Sequence, residues 1–241
     1  MIYAGILSGG TGTRMQRADM PKQFLELGGK PILIYTIDAF MANPRIDEII
    51  VALPEAWISY TADLVRKYYP QCKKIRLIAG GGTRNETLMR ILDDIELRNG
   101  IGEDDAIISH DAIRPFVTDK IINDNIDAVQ KYDAVDTVIP AYDTIVESFD
   151  GETICNIPLR KHLYHGQTPQ SFNIRVLREV YKQLTPEEVE ILTDAAKIFV
   201  LANRPVYMVA GDFANMKITT PHDLKVAAAL VENDTVHSAT K

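Results

Sequence analysis

Between residues 2 and 140, short apolar runs alternate with stretches of helical period, and that alternation is what most narrows the fold. The runs are Ile2–Leu7, Glu48–Leu53, residues 75–78, residues 106–110 and Ala134–Pro140. Helical patterns fill the gaps, from Pro31 to about Ala42, over residues 57–69, from Thr83 onward, and from about Thr118 to Tyr132. Apolar strands separated by amphipathic helices imply a mostly parallel, twisted sheet with helices on both faces, an α/β architecture. Ligands of such sheets bind beyond the carboxyl ends of the strands. The loops at 8–15, 80–84 and 110–115 all leave strand ends in this way, so they can converge on one site.

The first of these loops reads Ser8-Gly9-Gly10-Thr11-Gly12-Thr13-Arg14-Met15 directly after Leu7, with Pro21-Lys22-Gln23 behind it. Glycine permits positive φ and close backbone approach, which bring N–H groups up to a phosphate. Arg14 and Lys22 add full positive charge. A dinucleotide fingerprint needs a third glycine where Met15 stands, and a P-loop needs a Gly-Lys-Ser/Thr that this chain lacks. A plain glycine-rich turn is the competing reading, and the two flanking cations weigh against it.

The second loop, Gly80-Gly81-Gly82-Thr83-Arg84-Asn85-Glu86-Thr87, has more glycine than a turn requires. It could present backbone groups and the Thr87 hydroxyl to a base edge, or form a turn with an N-cap at Thr83. The third, His110-Asp111-Ala112-Ile113-Arg114-Pro115, sets a carboxylate and a guanidinium at a strand end. Asp111 is a candidate Mg²⁺ ligand, because that ion takes one or two carboxylates and completes its shell with water and substrate phosphate. A structural Asp–Arg pair is the alternative. His110 has no second His or Cys at ligand spacing and reads as a packing residue. Lys217 is either a third phosphate-binding cation or a solvated lysine. No G-x-S-x-G elbow or other nucleophile constellation occurs. That suits a reaction in which the substrate supplies the nucleophile and the protein supplies position and charge, as in phosphoryl and nucleotidyl transfer.

A net charge of −7 argues against a general nucleic-acid or anionic-membrane binder, yet leaves room for a small anion in a locally basic pocket. The expected organisation is one domain over 1–232, with a frayed polar tail at 233–241. Cys72 and Cys155 read as free thiols. The opening Met-Ile-Tyr-Ala-Gly has neither the cationic nor the apolar region of a secretory leader, and no 18-residue apolar run follows, so a cytoplasmic protein is expected.

Beyond Ala141 the rhythm breaks. Residues 144–149 and 152–157 flank Asp150-Gly151 and predict a β-hairpin, an arm over 141–165 that needs something to pack on. The α/β pattern resumes with an extended segment at 163–172 and a helix at 174–184. Thr193-Asp194 then N-caps a helix over 195–201, and a strand follows at 206–210. A short extended piece at 215–219 precedes a last helix from Thr220-Pro221 to about Val231.

Taken in order, these motifs resemble the cytidylyltransferase family that includes the 2-C-methyl-D-erythritol 4-phosphate and ribitol-5-phosphate cytidylyltransferases. The matching pieces are residues 9–15 with Pro21-Lys22-Gln23, Gly80-Gly81 with Arg84, His110-Asp111-Ala112 with Arg114-Pro115, Asp143-Thr144, Thr168-Pro169-Gln170, Thr193-Asp194 and Met216-Lys217-Ile218-Thr219. The resemblance implies a Rossmann-like nucleotidyltransferase fold with a protruding β-arm, and Mg²⁺-assisted transfer of CMP from CTP with release of pyrophosphate. It implies that Arg14 and Lys22 stabilise the transition state and that Asp111 binds Mg²⁺. Leu7, Ser8, Gly9, Gly10, Thr11, Gly12, Gly80, Gly81, Gly82, Arg84, Thr87 and Lys217 would bind the nucleotide. Arg114, Thr144, Arg160, Gln167 and Thr193 would bind the acceptor, with Thr144 and Arg160 reaching the neighbouring subunit's site in a homodimer formed through the arm.

Within the family, three stretches resemble the ribitol phosphate enzymes of wall teichoic acid synthesis more than the methylerythritol phosphate enzymes of isoprenoid synthesis. Gly166-Gln167 precedes Thr168-Pro169-Gln170, Ala195-Ala196-Lys197 follows Thr193-Asp194, and Glu147 stands where a lysine is common. The expected acceptor is therefore D-ribitol 5-phosphate and the product CDP-ribitol, with methylerythritol phosphate as the competitor. A non-catalytic nucleotide-binding module using the same loops is the reading from a different class.

Overall fold

The structure, a computed structural model, describes residues 1–9 and 20–238. Gly10, Thr11, Gly12 and Arg14 of the first loop lie outside the described residues.

Strand β1 (Ile2–Leu7) is buried along its whole length. After a 3₁₀ turn at Lys22–Phe24, the two-residue strands β2 (Glu26–Leu27) and β3 (Lys30–Pro31) pair antiparallel around a glycine turn. Helix α1 (Ile32–Ala42) starts behind Pro31, whose fixed φ suits that place. The alternation continues through β4 (Glu48–Leu53), α2 (Ile58–Tyr68), β5 (Ile75–Ala79), α3 (Arg84–Asn99), β6 (Ala106–Asp111), α4 (Asp119–Val129) and β7 (Ala134–Pro140). It resumes with β8 (Tyr164–Asn173), α5 (Ile174–Tyr181), α6 (Pro186–Glu190), α7 (Ala196–Leu201), β9 (Tyr207–Ala210) and α8 (Pro221–Ser238).

The seven-stranded sheet runs β5-β4-β1-β6-β8-β7-β9. β5, β4, β1 and β6 are parallel, β9 is parallel to β7, and β8 lies antiparallel between β6 and β7. Successive side chains go to opposite faces, so consecutive apolar residues feed two cores. On one face Ile108 and Val51 meet Ile37 and Phe40 of α1 and Ile122 and Ile126 of α4. On the other, Ile107 and Phe172 meet Ile91 of α3, Leu177 of α5 and Phe199 of α7. The mostly parallel α/β sheet with helices on both faces is as the alternation predicts.

Three expectations are corrected. Residues 144–157 do not form a two-stranded hairpin: a single antiparallel bridge, Glu147 to Asn156, joins the segment. Asp150 draws the tip inward, its Oδ1 accepting from the Glu152 and Thr153 amides, while Phe149 is 88% exposed and Ile154 also faces solvent. With nothing among the described residues to cover those side chains, the arm has no reason to zip further. Residues 215–219 form no strand, and hydrogen bonds such as Ile218 N–H to Ile113 O hold them. Helix α8 continues through Ser238 rather than ending near Val231, because polar composition does not prevent a backbone from staying helical. Both cysteines are free thiols, and no helix of the described residues is long and apolar enough to cross a membrane.

Candidate active site

Parallel pairing brings the strand ends together. Leu7 is in register with Asp111, and the Ala112 amide donates to Leu7 O at 3.0 Å. The start of the first loop therefore lies beside the only carboxylate of the third. Ser8 is anchored by its amide to Ala52 O (2.8 Å) and by its carbonyl, which accepts from Gln23 Nε2 (2.8 Å). Gly9 is exposed just beyond.

Asp111 is 7% exposed and faces three cations. Lys217 Nζ is 2.9 Å from Oδ2, Arg114 Nε 3.5 Å from Oδ2, and Arg84 Nε 3.5 Å from Oδ1. Burial alone raises a carboxyl pKa, but Arg84, Lys217 and Arg114 together reverse it and hold this one far below the usual range. The site thus keeps one fully ionised carboxylate inside a surplus of positive charge.

A chain of hydrogen bonds fixes that carboxylate from behind. The Asp111 amide donates to Thr168 Oγ1 (3.2 Å), which is 3.0 Å from His110 Nδ1, while His110 Nε2 is 3.0 Å from Arg114 O. A carbonyl only accepts, so Nε2 carries the proton and Nδ1 accepts from Thr168. Burial pushes His110 down to about 4, so it stays neutral and structural, as its lack of ligand spacing predicts. Arg114 Nη1 donates to Asn215 O (2.8 Å), and Asn215 Nδ2 donates to Thr168 O (2.8 Å), closing the ring. Lys22 is buried, its Nζ donating to Thr219 O at 2.9 Å, which ties it to the segment carrying Lys217.

The second loop is preoccupied. Gly80, Gly81 and Gly82 donate respectively to Leu53 O, Thr87 Oγ1 and Glu86 Oε2. A Cβ on Gly81 would lie 2.5 Å from Glu86 Cβ, so that glycine is required by α3 itself. The Thr87 hydroxyl, expected to face a base, is buried and donates to Thr83 O at 2.8 Å. Thr87 therefore shapes the loop, and the groups left to a ligand are carbonyls and the polar atoms at the mouth. Ser8 Oγ, Arg84 Nη1 and Asn85 Oδ1 are buried there without a described partner.

Gln167 Nε2 donates to Asp212 O (2.8 Å) and its Oε1 accepts from Asn215 (3.1 Å), so its amide ties loops together. Arg114 contacts Asp111 and Asn215, with its Nε buried and without a described hydrogen-bond partner. Thr193 is exposed at the foot of α7, where the Asp194 Oδ1 accepts from the Lys197 amide (3.0 Å). Thr144 and Arg160 lie on the exposed arm; Arg160 Nη1 donates to Tyr142 O (3.1 Å), and no described bond joins either to Asp111, Lys22 or Lys217. Asn215 and Asp136 were given no role from sequence, and Thr168 entered only as part of the Thr168-Pro169-Gln170 motif. For Asp136 a signal existed: an acid in the middle of an apolar strand run.

The family described as IspD, 2-C-methyl-D-erythritol 4-phosphate cytidylyltransferase, matches residues 2–233. The chain belongs to this family. Among solved structures it is similar to the 4-diphosphocytidyl-2C-methyl-D-erythritol synthase of Anaerococcus prevotii, with TM-score 0.79 and 28% identity over 96% of each chain. The 2-C-methyl-D-erythritol 4-phosphate cytidylyltransferase of Francisella tularensis matches at TM-score 0.77 and 28% identity, covering 94% of this chain and 97% of that one. That of Thermus thermophilus matches at 0.73 and 27%, covering 96% and 100%. The protein is a nucleotidyltransferase of the cytidylyltransferase class.

Proposed function

We propose that this enzyme transfers CMP from CTP to the phosphate of a short polyol phosphate: a phosphate oxygen of the acceptor bonds to the α-phosphorus as the α–β bridging bond breaks and pyrophosphate leaves. The observation that carries it is the single ionised Asp111 amid Lys217, Arg84 and Arg114, beside the loop that carries Arg14 and Lys22. Such a site holds phosphoryl oxygens and the charge that grows on them. Arg14 and Lys22 act at the α-phosphate, Lys217 on phosphate, and the 80–82 loop at the base. Asp111 fits Mg²⁺ as an ionised carboxylate beside the start of the first loop, where the ion would complete its shell with water and substrate phosphate. When bound there, the ion neutralises phosphate charge.

The comparisons favour 2-C-methyl-D-erythritol 4-phosphate as the acceptor, because the matched family and the solved relatives carry it in their names. The chain's own segments at 147, 166–167 and 195–197 favour D-ribitol 5-phosphate, and at 27–28% identity an acceptor pocket is free to differ while the chemistry is kept. We hold D-ribitol 5-phosphate as the acceptor particular to this chain, on those segments. Pyrophosphate release measured with CTP, Mg²⁺ and each acceptor separately decides; a higher kcat/KM with methylerythritol phosphate overturns the choice, and CTP binding without turnover overturns the enzyme's proposed reaction.

The exposed apolar arm supports a homodimer in which Thr144 and Arg160 complete the neighbour's acceptor pocket. One domain from residue 1 to about 232, with α8 extending past it, is the organisation that accompanies this reading.

A further inference from the structure

Asp136 makes no described ion pair or hydrogen bond with Asp111 or its cations, yet it sits on the same level of the sheet and within electrostatic reach of Arg114. Its register partner on β8 is Gln170, and Gln170 is opposite Ser109 on β6, two residues before Asp111. Ala134, one side-chain step away on the same face, belongs to the core under α3, α5 and α7. Asp136 stands where that core gives way to polar groups. Arg84 at the start of α3 and Asp194 just before α7 are both within electrostatic reach.

The Asp136 carboxyl takes hydrogen bonds from the Gln170 side chain and the Thr137 amide, yet one oxygen of each side chain, Asp136 Oδ1 and Gln170 Oε1, is buried without a described partner. Gln170 is 2% exposed, so its orphaned oxygen cannot be dismissed as a surface atom. Buried acceptors without donors are rare because each costs free energy. Burial and Asp194 push the Asp136 carboxyl up to about 6 against the opposing effects of Gln170 and Arg84, so the arrangement is unfavourable for the isolated protein. Gly166 sets no side chain against Oδ2, where a Cβ would stand in ordinary contact at 3.8 Å.

The chemistry that satisfies two adjacent acceptors, one a carboxylate, is a set of neutral O–H donors. A triphosphate would be repelled, whereas a polyol supplies several hydroxyls in a row. We propose that Asp136, with Gln170 beside it, accepts hydrogen bonds from hydroxyls of the polyol acceptor and so helps to set which polyol phosphate the enzyme uses; this rests on the acceptor being a polyol phosphate.

The test compares wild type, Asp136→Asn and Asp136→Leu by initial rates of pyrophosphate release, varying CTP and the acceptor in turn. The acceptors are D-ribitol 5-phosphate and 2-C-methyl-D-erythritol 4-phosphate. In Asp136→Leu the KM for the acceptor used by wild type rises about 10-fold to 100-fold, the range expected on losing a hydrogen bond to a charged group, with CTP KM nearly unchanged. The ratio of kcat/KM between the two acceptors shifts as well. Asp136→Asn shows a smaller rise of the same kind, and it carries the test alone if the leucine variant does not fold. A rise in CTP KM with acceptor KM unchanged places Asp136 at the base and overturns the proposal, as does no change in either. Failure of wild type to turn over either polyol phosphate overturns the functional reading itself, and that result is seen before any variant is made.

Discussion

Asp111 shows how three neighbours decide the state of one group. Its pKa is depressed in the folded chain, so it stabilises the fold at pH values above its unfolded pKa of about 3.9, and that contribution fades as pH falls through the acid range. Asp111→Asn leaves Arg84, Arg114 and Lys217 facing one another. The variant should melt lower than wild type at pH 7, with the gap narrowing toward pH 3 in thermal scans; a gap independent of pH would show that the carboxylate's charge is not what the cations hold. Asp136 has the opposite sign. Its folded pKa of about 6 exceeds the unfolded value, so ionisation opposes folding increasingly from pH 4 to pH 6 and fully above that. Asp136→Asn should therefore raise stability at pH 7.5 by at most about 3 kcal/mol, and much less at pH 4, measured by urea unfolding at both values. Lys22→Ala belongs to this scale too. Its cation is needed most as charge grows on the phosphate, so kcat should fall by at least about 100-fold while CTP binding by calorimetry weakens far less; equal losses would make Lys22 a ground-state binder.

At the scale of elements, the 80–87 segment is a loop and a helix start that define each other. Thr83 caps α3 through the Glu86 amide, Thr87 holds Gly81, and Glu86 holds Gly82. The lack of a side chain at Gly81 follows from contact with the helix backbone, 2.9 Å from a modest added Cβ to Thr87 N. Gly81→Ala should cost about 1–3 kcal/mol and raise the CTP KM together, since the same distortion moves the mouth of the site. Normal CTP KM in a destabilised variant would separate the loop from the nucleotide. Strand β8 does comparable work from the other side: it carries Thr168, which donates to His110 Nδ1 and receives the Asp111 amide, and Gln170, which borders Asp136.

For the whole molecule, the open question of chemistry is what covers the arm. Phe149, Ile154, Ile157 and Leu159 are exposed apolar side chains on a segment with one bridge of its own. A patch of this kind is what a second copy would bury. Phe149→Asp combined with Leu159→Asp should shift the protein to monomer in sedimentation velocity and remove turnover, while leaving CTP binding in place because Asp111, Lys22 and Lys217 belong to one chain. A fully active monomer would show that Thr144 and Arg160 serve no neighbouring site.

The strand and helix alternation was legible from sequence because buried strands and amphipathic helices have different hydrophobic periods, and Thr83 was readable as the N-cap of its helix. The sequence also singled out Asp111, Arg84 and Lys22 as charges in the segments that follow strand ends, and Lys217 as a cation in the short piece at 215–219. It determined the class of chemistry through the order of those motifs. Only the tertiary structure decided which polar side chains face the site and which are spent inside it. Thr87 bonds within its own loop, to Thr83 and Gly81, while Gln167 and Arg114 bond to Asp212 and Asn215, far away in sequence. Asp136 went unmarked for the converse reason. A carboxylate oxygen left without a donor is a property of its three-dimensional surroundings, and those are set by β8 entering antiparallel between β6 and β7, a pairing between segments far apart in the chain.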